Sequence, residues 1–448
     1  RYDVGHQRGT EDPEVIKIVE IERNKKGIKP RKFSQQEILR RYIAAMVNEA
    51  ANVLNEGFAC RPSDIDVVKL FGYGFPRFRG GPMKYADTYG LEEIIEDINK
   101  FSQEDKIFWK PSPLLLSLVE RGENFEFGVE LDDVKFLNRN FDELRKYKES
   151  LNYSETMKEY LQGRNKSKSD QLRALSDYVL YSDSDNTKNN YSYYGRNKFC
   201  VVIDALKFSC KQKYRENFIE RNLEKNVDLT TPFVYFPLSV DEELNLLHYA
   251  PFYTNQIEVL RHVAKSIPIG FRLLVKEHPA MRVRGWRSIS EYKEIQDIPN
   301  LHLLHPKFST EELYKNCSLL VSIRGTSAFD VAFFEKPSII FGDLPFGILP
   351  SVEKVQSIES LPKMINESLK KKVSPVDLDR YLNLIDSRSF DFDLLGFENI
   401  VSDFFYSGGI LTDVEISQSK MQDFLKKYDR PLELLANEHL KRISGNEL

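Results

Sequence analysis

The sequence predicts a multidomain chain: an all-α N-terminal domain, an α/β domain on a parallel sheet, and C-terminal helices. Three observations predict this. Four short apolar, β-rich runs (Phe271–Val275, Leu301–Leu304, Ser318–Ile323, Ser338–Phe341) alternate with helix-length segments, the pattern of a parallel α/β sheet. Ahead of residue 127, helix caps precede periodic apolar faces and no strand signal intervenes. Between the two blocks, residues 138–198 turn rich in Lys, Glu, Asn, Ser and Tyr. The expected divisions are 1–127 (helical), 128–232 (a helical or irregular linker), 233–372 (α/β) and 373–448 (helical tail). At 448 residues the chain has room for several separate cores.

Composition narrows the function classes. A net charge of -4 with 29% charged residues lacks the basic excess of a nucleic-acid scaffold, so no nucleic-acid partner is expected. Cys60, Cys200, Cys210 and Cys317 show no CxxC pairing and no metal-ligand spacing, which points to a reducing cytosol and to no metal site. No apolar run reaches bilayer length and no signal peptide is visible, so membrane association is expected to be peripheral at most, at the inner face. The first residue is Arg1 rather than Met, as in a fragment or a processed product.

In chain order, residues 11–33 read as charged and irregular. Ser34-Gln35-Gln36-Glu37 then forms a capping box before a helix from Gln35 to about Glu56. A second helix starts at Arg61-Pro62-Ser63-Asp64 and breaks at Phe71-Gly72-Tyr73-Gly74-Phe75-Pro76. A third spans roughly Lys84 to Phe101, and a fourth follows Ser112-Pro113 and ends near Gly122. Asn48, Glu49 and the GYGFPRFRGG turn read as helix packing and turn geometry.

The middle segment offers helix-like stretches at Phe141–Leu151 and Ser154–Leu161. Ser182–Asn190 reads as a solvated loop rather than a metal site, and Tyr191-Ser192-Tyr193-Tyr194 as packing rather than base stacking. Residues 204–224 form a basic amphipathic helix leading into the strand Phe233–Leu238 and the helix Gln256 to about Ser266. Each strand run then ends in polar or glycine-rich residues: Lys276-Glu277-His278-Pro279, His305-Pro306, Arg324-Gly325-Thr326-Ser327 and Gly342-Asp343. In an open parallel sheet these ends share one edge, where ligands bind. The turn Arg324–Ser327 leads into an expected helix, Ala328–Glu335, whose start favours an anion while Gly325 permits close approach. Thr326 and Ser327 serve there either as phosphate ligands or as helix caps. The tail carries helical segments at Asp377–Ile385 and Ser417–Lys427, broken at Phe404-Phe405-Tyr406 and Gly408-Gly409.

Two resemblances follow from these residues. EVIKIVEIERNKKGIKPRKFSQQEILRRYIAAMVNEAANVLNEG, RPSDIDVVKLFGYGFPRFRGGPMKYAD and FWKPSPLLLSLVERG, covering most of residues 11–125, resemble the last helical domain of multifunctional enzymes joining enoyl-CoA hydratase to 3-hydroxyacyl-CoA dehydrogenase. No strand–GxGxxG–helix unit precedes them, so NAD is not expected and none of that family's catalytic residues is carried over. What the resemblance implies is acyl-CoA or homo-oligomer contacts through the helical block.

VYFPLSVDEELNLLHYAPFYTNQIEVLRHVA, LLVKEHP and SIRGTSAFDVAFFEKPSIIFGD resemble capsule or surface polysaccharide biosynthesis glycosyltransferases of the two-Rossmann (GT-B) type, over roughly 195–370. That resemblance implies a Rossmann-like half that binds a nucleotide sugar, with a glycan acceptor as the second substrate. Lys276 and His278 would contact the phosphates, and Gly325, Thr326 and Ser327, with Arg324, would hold them. Asp330 stands where that family usually carries Glu. Gln256 and Glu258 are candidates at the donor cleft. Arg282, Arg284 and Arg287 flank Trp286, to neutralise the leaving nucleotide, to face an acidic acceptor, or simply as a solvated basic loop. The His-Pro pair at a strand end resembles that of transferases using cytidine-linked donors, which implies a CMP-linked acidic sugar. By the same resemblance, residues 128–232 stand where an acceptor domain would be and are read as a linker or a truncated acceptor domain, and the general base is not assigned. The competing readings are a dehydrogenase-related fragment of fatty-acid β-oxidation and a non-catalytic nucleotide-binding fusion.

Overall fold

The computed structural model describes residues 12–125, 131–151, 198–241, 243–406 and 416–443, with isolated positions between 169 and 176. The expectations for Ser154–Leu161, Ser182–Asn190, Tyr191–Tyr194 and Gly408-Gly409 lie outside the described residues. The chain divides into two compact units, Arg1–Gly128 and Val129–Leu448.

The first unit is helical: α1 (Pro13–Lys26), α2 (Gln35–Asn55), α3 (Pro62–Gly72), α4 (Pro82–Tyr89), α5 (Leu91–Phe101) and α6 (Pro113–Arg121). Its core gathers Ile43, Val47 and Ala51 of α2, Met83 and Ala86 of α4, Ile94 and Ile98 of α5, and Leu115 and Leu118 of α6. Two expectations need correction. The stretch read as irregular contains α1, which the sequence does mark: Asp12 caps it, Pro13 opens it and Gly27 closes it in a left-handed conformation. The single helix expected over Lys84–Phe101 is two, because Gly90 takes φ 110° and ψ 122° and turns the chain between α4 and α5.

Polar anchors set the turns of this unit. Buried Asn48 donates to the Lys110 carbonyl at 2.8 Å and accepts from Ser112 N at 2.8 Å, fixing the entry to α6. Buried Asp66 of α3 accepts from Met83 N at 2.7 Å and Lys84 N at 3.0 Å, so one helix supplies the cap of the next. Gly81 passes directly over that carboxylate: a Cβ there would lie 2.3 Å from Asp66 Cγ.

The second unit is a six-stranded, all-parallel sheet: β1 (Phe233–Pro237), β2 (Arg272–Lys276), β3 (Leu301–Leu304), β4 (Leu319–Ser322), β5 (Ser338–Ile340) and β6 (Val352–Lys354), in the order β3-β2-β1-β4-β5-β6. Before the sheet come α7 (Phe141–Ser150) and α8 (Lys198–Asn222). Between strands lie α9 (Leu244–Leu247), α10 (Gln256–Ser266), α11 (Ile289–Gln296), α12 (Thr310–Asn316) and α13 (Ser327–Asp330). After β6 follow α14 (Leu361–Ser368), α15 (Pro375–Arg388), α16 (Leu394–Tyr406), α17 (Gln418–Lys427) and α18 (Asp429–Ile443). The strands are near-continuous apolar runs because helices cover both faces. Val234, Leu273 and Val321 face a core with α8, α10, α11 and α14. Phe233, Tyr235, Leu274 and Leu320 face a core with α7, α12, α13 and α15.

Three further differences emerge. Edge strand β6 was not expected, since Val-Glu-Lys carries no strand signal of its own and pairs only because β5 offers a free edge. The helix expected over Ala328–Glu335 is one turn, α13, continuing as a 3-10 turn over Val331–Phe334 and stopped by Glu335 at φ 64°. Helix α7, from the segment read as a linker or truncated acceptor domain, buries Leu144 in the second core of the sheet. No helix among the described residues is long and apolar enough to cross a membrane.

Gly81 tests the helical unit. Gly81→Ala forces a side chain onto Asp66 at a φ of 107°, and should lower stability by more than about 1 kcal/mol in thermal melts.

Candidate functional site

Strand order reverses at β1, with β2 on one side and β4 on the other; such a switch point leaves a crevice outside the C-terminal strand ends. Pro237 pairs with Lys276 across β1 and β2, and the β1–β4 register continued to the strand ends puts Pro237 beside Ser322. With strands about 4.8 Å apart, the Lys276 and Ser322 backbones stand about 10 Å from each other on one sheet face.

The Lys276 side chain is 5% exposed, and its Nζ donates to Thr310 Oγ1 at 2.5 Å. Among the described residues it has no carboxylate within ion-pair distance. Burial alone pushes its pKa down to about 8. A lysine buried without a counter-ion is costly, which is the usual mark of a group retained for a ligand.

The turn after β4 is built by Ser322, whose Oγ accepts from Gly325 N at 3.0 Å. A Cβ on Gly325 would lie 2.7 Å from that oxygen, so any other residue here would have to displace the Ser322 hydroxyl from the turn. Thr326 is exposed and makes no capping bond. Ser327 opens α13, while Ser338 Oγ ties that turn to β5 through the Ala328 carbonyl at 2.8 Å. With only four α-helical residues, α13 has little aligned dipole, so the anion-binding argument drawn from a full helix does not apply; individual donors must do the work. Arg324 is stacked over Tyr249 at 4.2 Å and donates to the Asp343 carbonyl at 2.7 Å and Asn245 Oδ1 at 2.6 Å. Burial lowers its pKa.

His278 lies at the rim, and its Nδ1 accepts from Ala280 N at 3.2 Å. The neutral ring therefore carries its proton on Nε2, as a donor. Crowding first, and the positive charges of Lys276 and Arg287 second, hold its pKa below the ordinary histidine value. It is neutral at physiological pH.

The other sequence-derived candidates have different employment. Arg287 does not belong to a solvated basic loop: it is 5% exposed and bonded to Glu277 Oε2 at 2.8 Å, to the Asp241 carboxylate, and to the Ser239 carbonyl at 2.6 Å. Burial would lower its pKa, but Glu277 and Asp241 outweigh that and raise it. Gln256 is buried and grips the same loop, accepting from Ser239 N at 2.8 Å and donating to the Ser239 carbonyl at 2.9 Å. Glu258 pairs with Arg261 on the exposed side of α10, and Asp330 pairs with Lys148 of α7. Arg282 lies 3.7 Å from Glu216, and exposed Arg284 faces Glu243. Lys276, Ser322 and the Gly325 turn thus share one sheet face, with His278 at its rim; Gln256, Arg287, Glu258 and Asp330 are engaged with protein partners.

Residues 38–126 match the model of the family "3-hydroxyacyl-CoA dehydrogenase, C-terminal domain". The match falls within the helical unit. The peroxisomal bifunctional enzyme of Danio rerio is 44% identical over 120 residues, which cover 26% of this chain and 17% of that protein. The chain thus spans a small part of the curated relative it matches. Solved structures that align with part of the chain include the beta Kdo 2,7 transferase KpsC of Thermosulfurimonas dismutans, at 11% identity, 41% coverage of this chain, 62% of that one and a TM-score of 0.24. The UDP-GlcNAc 2-epimerase of Methanocaldococcus jannaschii aligns at 14% identity, 42% and 52% coverage and a TM-score of 0.24. The architecture of the second unit therefore rests on its own strand order.

Sequence reasoning missed the groups that hold this edge in shape. Glu277 is fully buried and accepts from Arg287, from Tyr292 OH at 2.9 Å and from its neighbour His278 N at 2.7 Å. It stands inside the LLVKEHP run, between Lys276 and His278. Asp241, Tyr292 and Thr310 act here through partners distant in sequence, so no local pattern marks these contacts. Arg287→Met strands the Glu277 carboxylate in the core and should cost about 3–5 kcal/mol. Adding Glu277→Gln should recover much of that loss, as measured by urea unfolding.

Proposed function

We propose that the second unit is the nucleotide-sugar-binding half of a glycosyltransferase of surface polysaccharide synthesis, acting in the cytoplasm near its glycan acceptor. The observation that carries this reading is Lys276: a buried cation without a carboxylate partner among the described residues, on the sheet face shared with the Gly325 turn at a strand-order switch point. A nucleotide leaves as an anion, so fixed positive charge and preorganised donors must meet the charge that develops on its phosphates. Lys276 supplies the charge. Gly325 lets backbone N–H groups approach, Thr326 offers a free hydroxyl, and neutral His278 offers Nε2–H. The donor is read as a CMP-linked acidic sugar, from the His278-Pro279 pair at the end of β2. The helical unit is given no catalytic part.

A second reading has its own observation. The helical unit carries a groove of about 310 Å³, lined by Leu39, Tyr42, Met46 and Tyr73 with Lys69 and Arg79 nearby. Apolar walls beside cations suit an acyl-CoA, in line with the 3-hydroxyacyl-CoA dehydrogenase family whose C-terminal domain this unit matches.

Thermal-shift measurements with CMP, CDP, UDP, GDP, NAD and CoA separate the readings. A ligand of the folded protein present at about 100 times its Kd stabilises by about 2.7 kcal/mol. One nucleotide should shift the wild type and fail to shift Lys276→Met. That variant should itself melt higher than wild type, because it removes a buried charge. Stabilisation by CoA alone would move the function to the helical unit, and no nucleotide shift would sink the donor site.

The pH dependence follows from Lys276. The side chain is charged below its pKa of about 8 and neutral above it, so nucleotide affinity should fall as pH rises through about 8. A titration at fixed ionic strength reads this directly. A flat profile between pH 7 and about 9 would remove Lys276 from the site.

A further inference from the structure

A cavity of about 560 Å³ opens between helix α8 and the loops after β2 and β3. Ile219 and Trp286, which line it, belong to the core on the Val234 and Leu273 face, opposite the face that carries Lys276 and Ser322. It is therefore a different place from the proposed nucleotide site. Pro279, next to His278, lies on its wall and connects the two.

Several features mark the cavity as built to hold a ligand. Trp286 has a φ of 61°, a left-handed backbone that is costly for a bulky side chain. It is held there by its own N–H to the Met281 carbonyl at 2.9 Å, and by Arg215 of α8, which donates to the Trp286 carbonyl at 2.5 Å. Gly285 beside it is pressed against Phe208 of α8, where a Cβ would meet the ring at 2.7 Å. The strain keeps the indole on the cavity wall at 6% exposure, and its Nε1–H has no partner among the described residues. Buried unpaired donors are rare and expensive, and this one lies beneath the cavity wall, so the indole shapes the wall and its N–H does not reach into the cavity.

His305, 4% exposed, repeats the pattern less fully. Its Nδ1 accepts from Lys307 N at 3.1 Å, leaving the proton on Nε2, which sits 3.3 Å from Glu220 Oε1 without hydrogen-bond alignment. The charges around the cavity are unequally matched. Glu216 faces Arg282 at 3.7 Å, and Glu220 is shared by Lys225 at 2.9 Å and Lys307 at 3.1 Å. Lys213, on the same wall, has no ion pair among the described residues. The surplus is positive. Around it Ile219, Val283 and Pro279 give apolar surface, as in sites where a few polar groups orient a largely apolar body.

We propose that this cavity binds an acidic saccharide, with the sugar ring against exposed Val283 beside the Trp286 loop and the carboxylate at Lys213. Its role as the glycan acceptor rests on the glycosyl-transfer reading above; the binding itself does not. The cavity then gives the second substrate a seat on the same strand edge as the donor, on the far side of the His278-Pro279 turn.

Trp286 is also the reporter, since the chain has only one other tryptophan, Trp109, in the helical unit. The full chain is titrated with a glucuronic-acid oligosaccharide and with its carboxyl-reduced counterpart, following tryptophan fluorescence. The acidic sugar should change the emission saturably, and the reduced one should bind at least about tenfold more weakly. Lys213→Ala, an exposed position, should weaken the acidic sugar by about tenfold and leave the reduced one unaffected. Trp286→Phe should abolish the signal while the nucleotide thermal shift persists. Equal binding of both sugars, an unchanged affinity in Lys213→Ala, or no emission change overturns the proposal. Lys276→Met separates the two claims: it should remove the nucleotide shift and keep the saccharide signal.

Discussion

Arg287 is the group on which the shape of the binding edge depends. Its guanidinium holds the loop after β1 through Asp241 and the Ser239 carbonyl, and the loop after β2 through Glu277. Its own backbone lies just ahead of the helix that carries Tyr292, which closes the ring on Glu277. Gln256 adds the start of α10 to the same cluster. A fork of five donors can bind several segments at once, which a lysine could not do. Such a buried network gives little net stability, since desolvation cancels much of the attraction. What it gives is a fixed arrangement: neither loop can shift without leaving a charge unpaired in the core.

That fixed frame lets the two sheet faces carry different chemistry. Side chains alternate along a strand, so at the end of β2 Lys276 goes to one face and Glu277 to the other. The Lys276 face meets the Ser322–Gly325 turn and has no described carboxylate to neutralise it. On the Glu277 face the charges are paired, and the loop beyond delivers Trp286 to the cavity under α8. Helix α8 is more than a lead into the domain. Arg215 and Gln212 hold the 282–286 loop by its carbonyls, and residue 224 pairs with β3 at the sheet edge.

The helical unit is organised by a different constraint. Where a helix end or a turn of this unit is buried, its free N–H and C=O groups must find partners. Asn48 and Asp66 supply them from neighbouring helices, and the Gly80-Gly81 turn is as tight as the Asp66 carboxylate demands. These are packing roles. The match to the 3-hydroxyacyl-CoA dehydrogenase C-terminal family falls within this unit.

The sequence by itself determined the strands and the punctuation around them. Apolar runs such as Leu273-Leu274-Val275 and Leu319-Leu320-Val321 have one stable use, between two helical layers, and Ser34, Ser309 and Ser374 cap helices by local bonds alone. It placed Lys276, His278 and the Gly325 turn at strand ends, because period and turn chemistry are local. Only the tertiary structure decided which charges remain available. Arg282, Arg284 and Arg287 look alike on one loop, yet Arg287 alone is drawn inside, where Glu277 and Asp241 await it. Asp330 is engaged by Lys148, a residue 182 positions earlier in the chain. Burial and pairing are set by what the fold brings alongside, and no residue carries that information in its own neighbourhood.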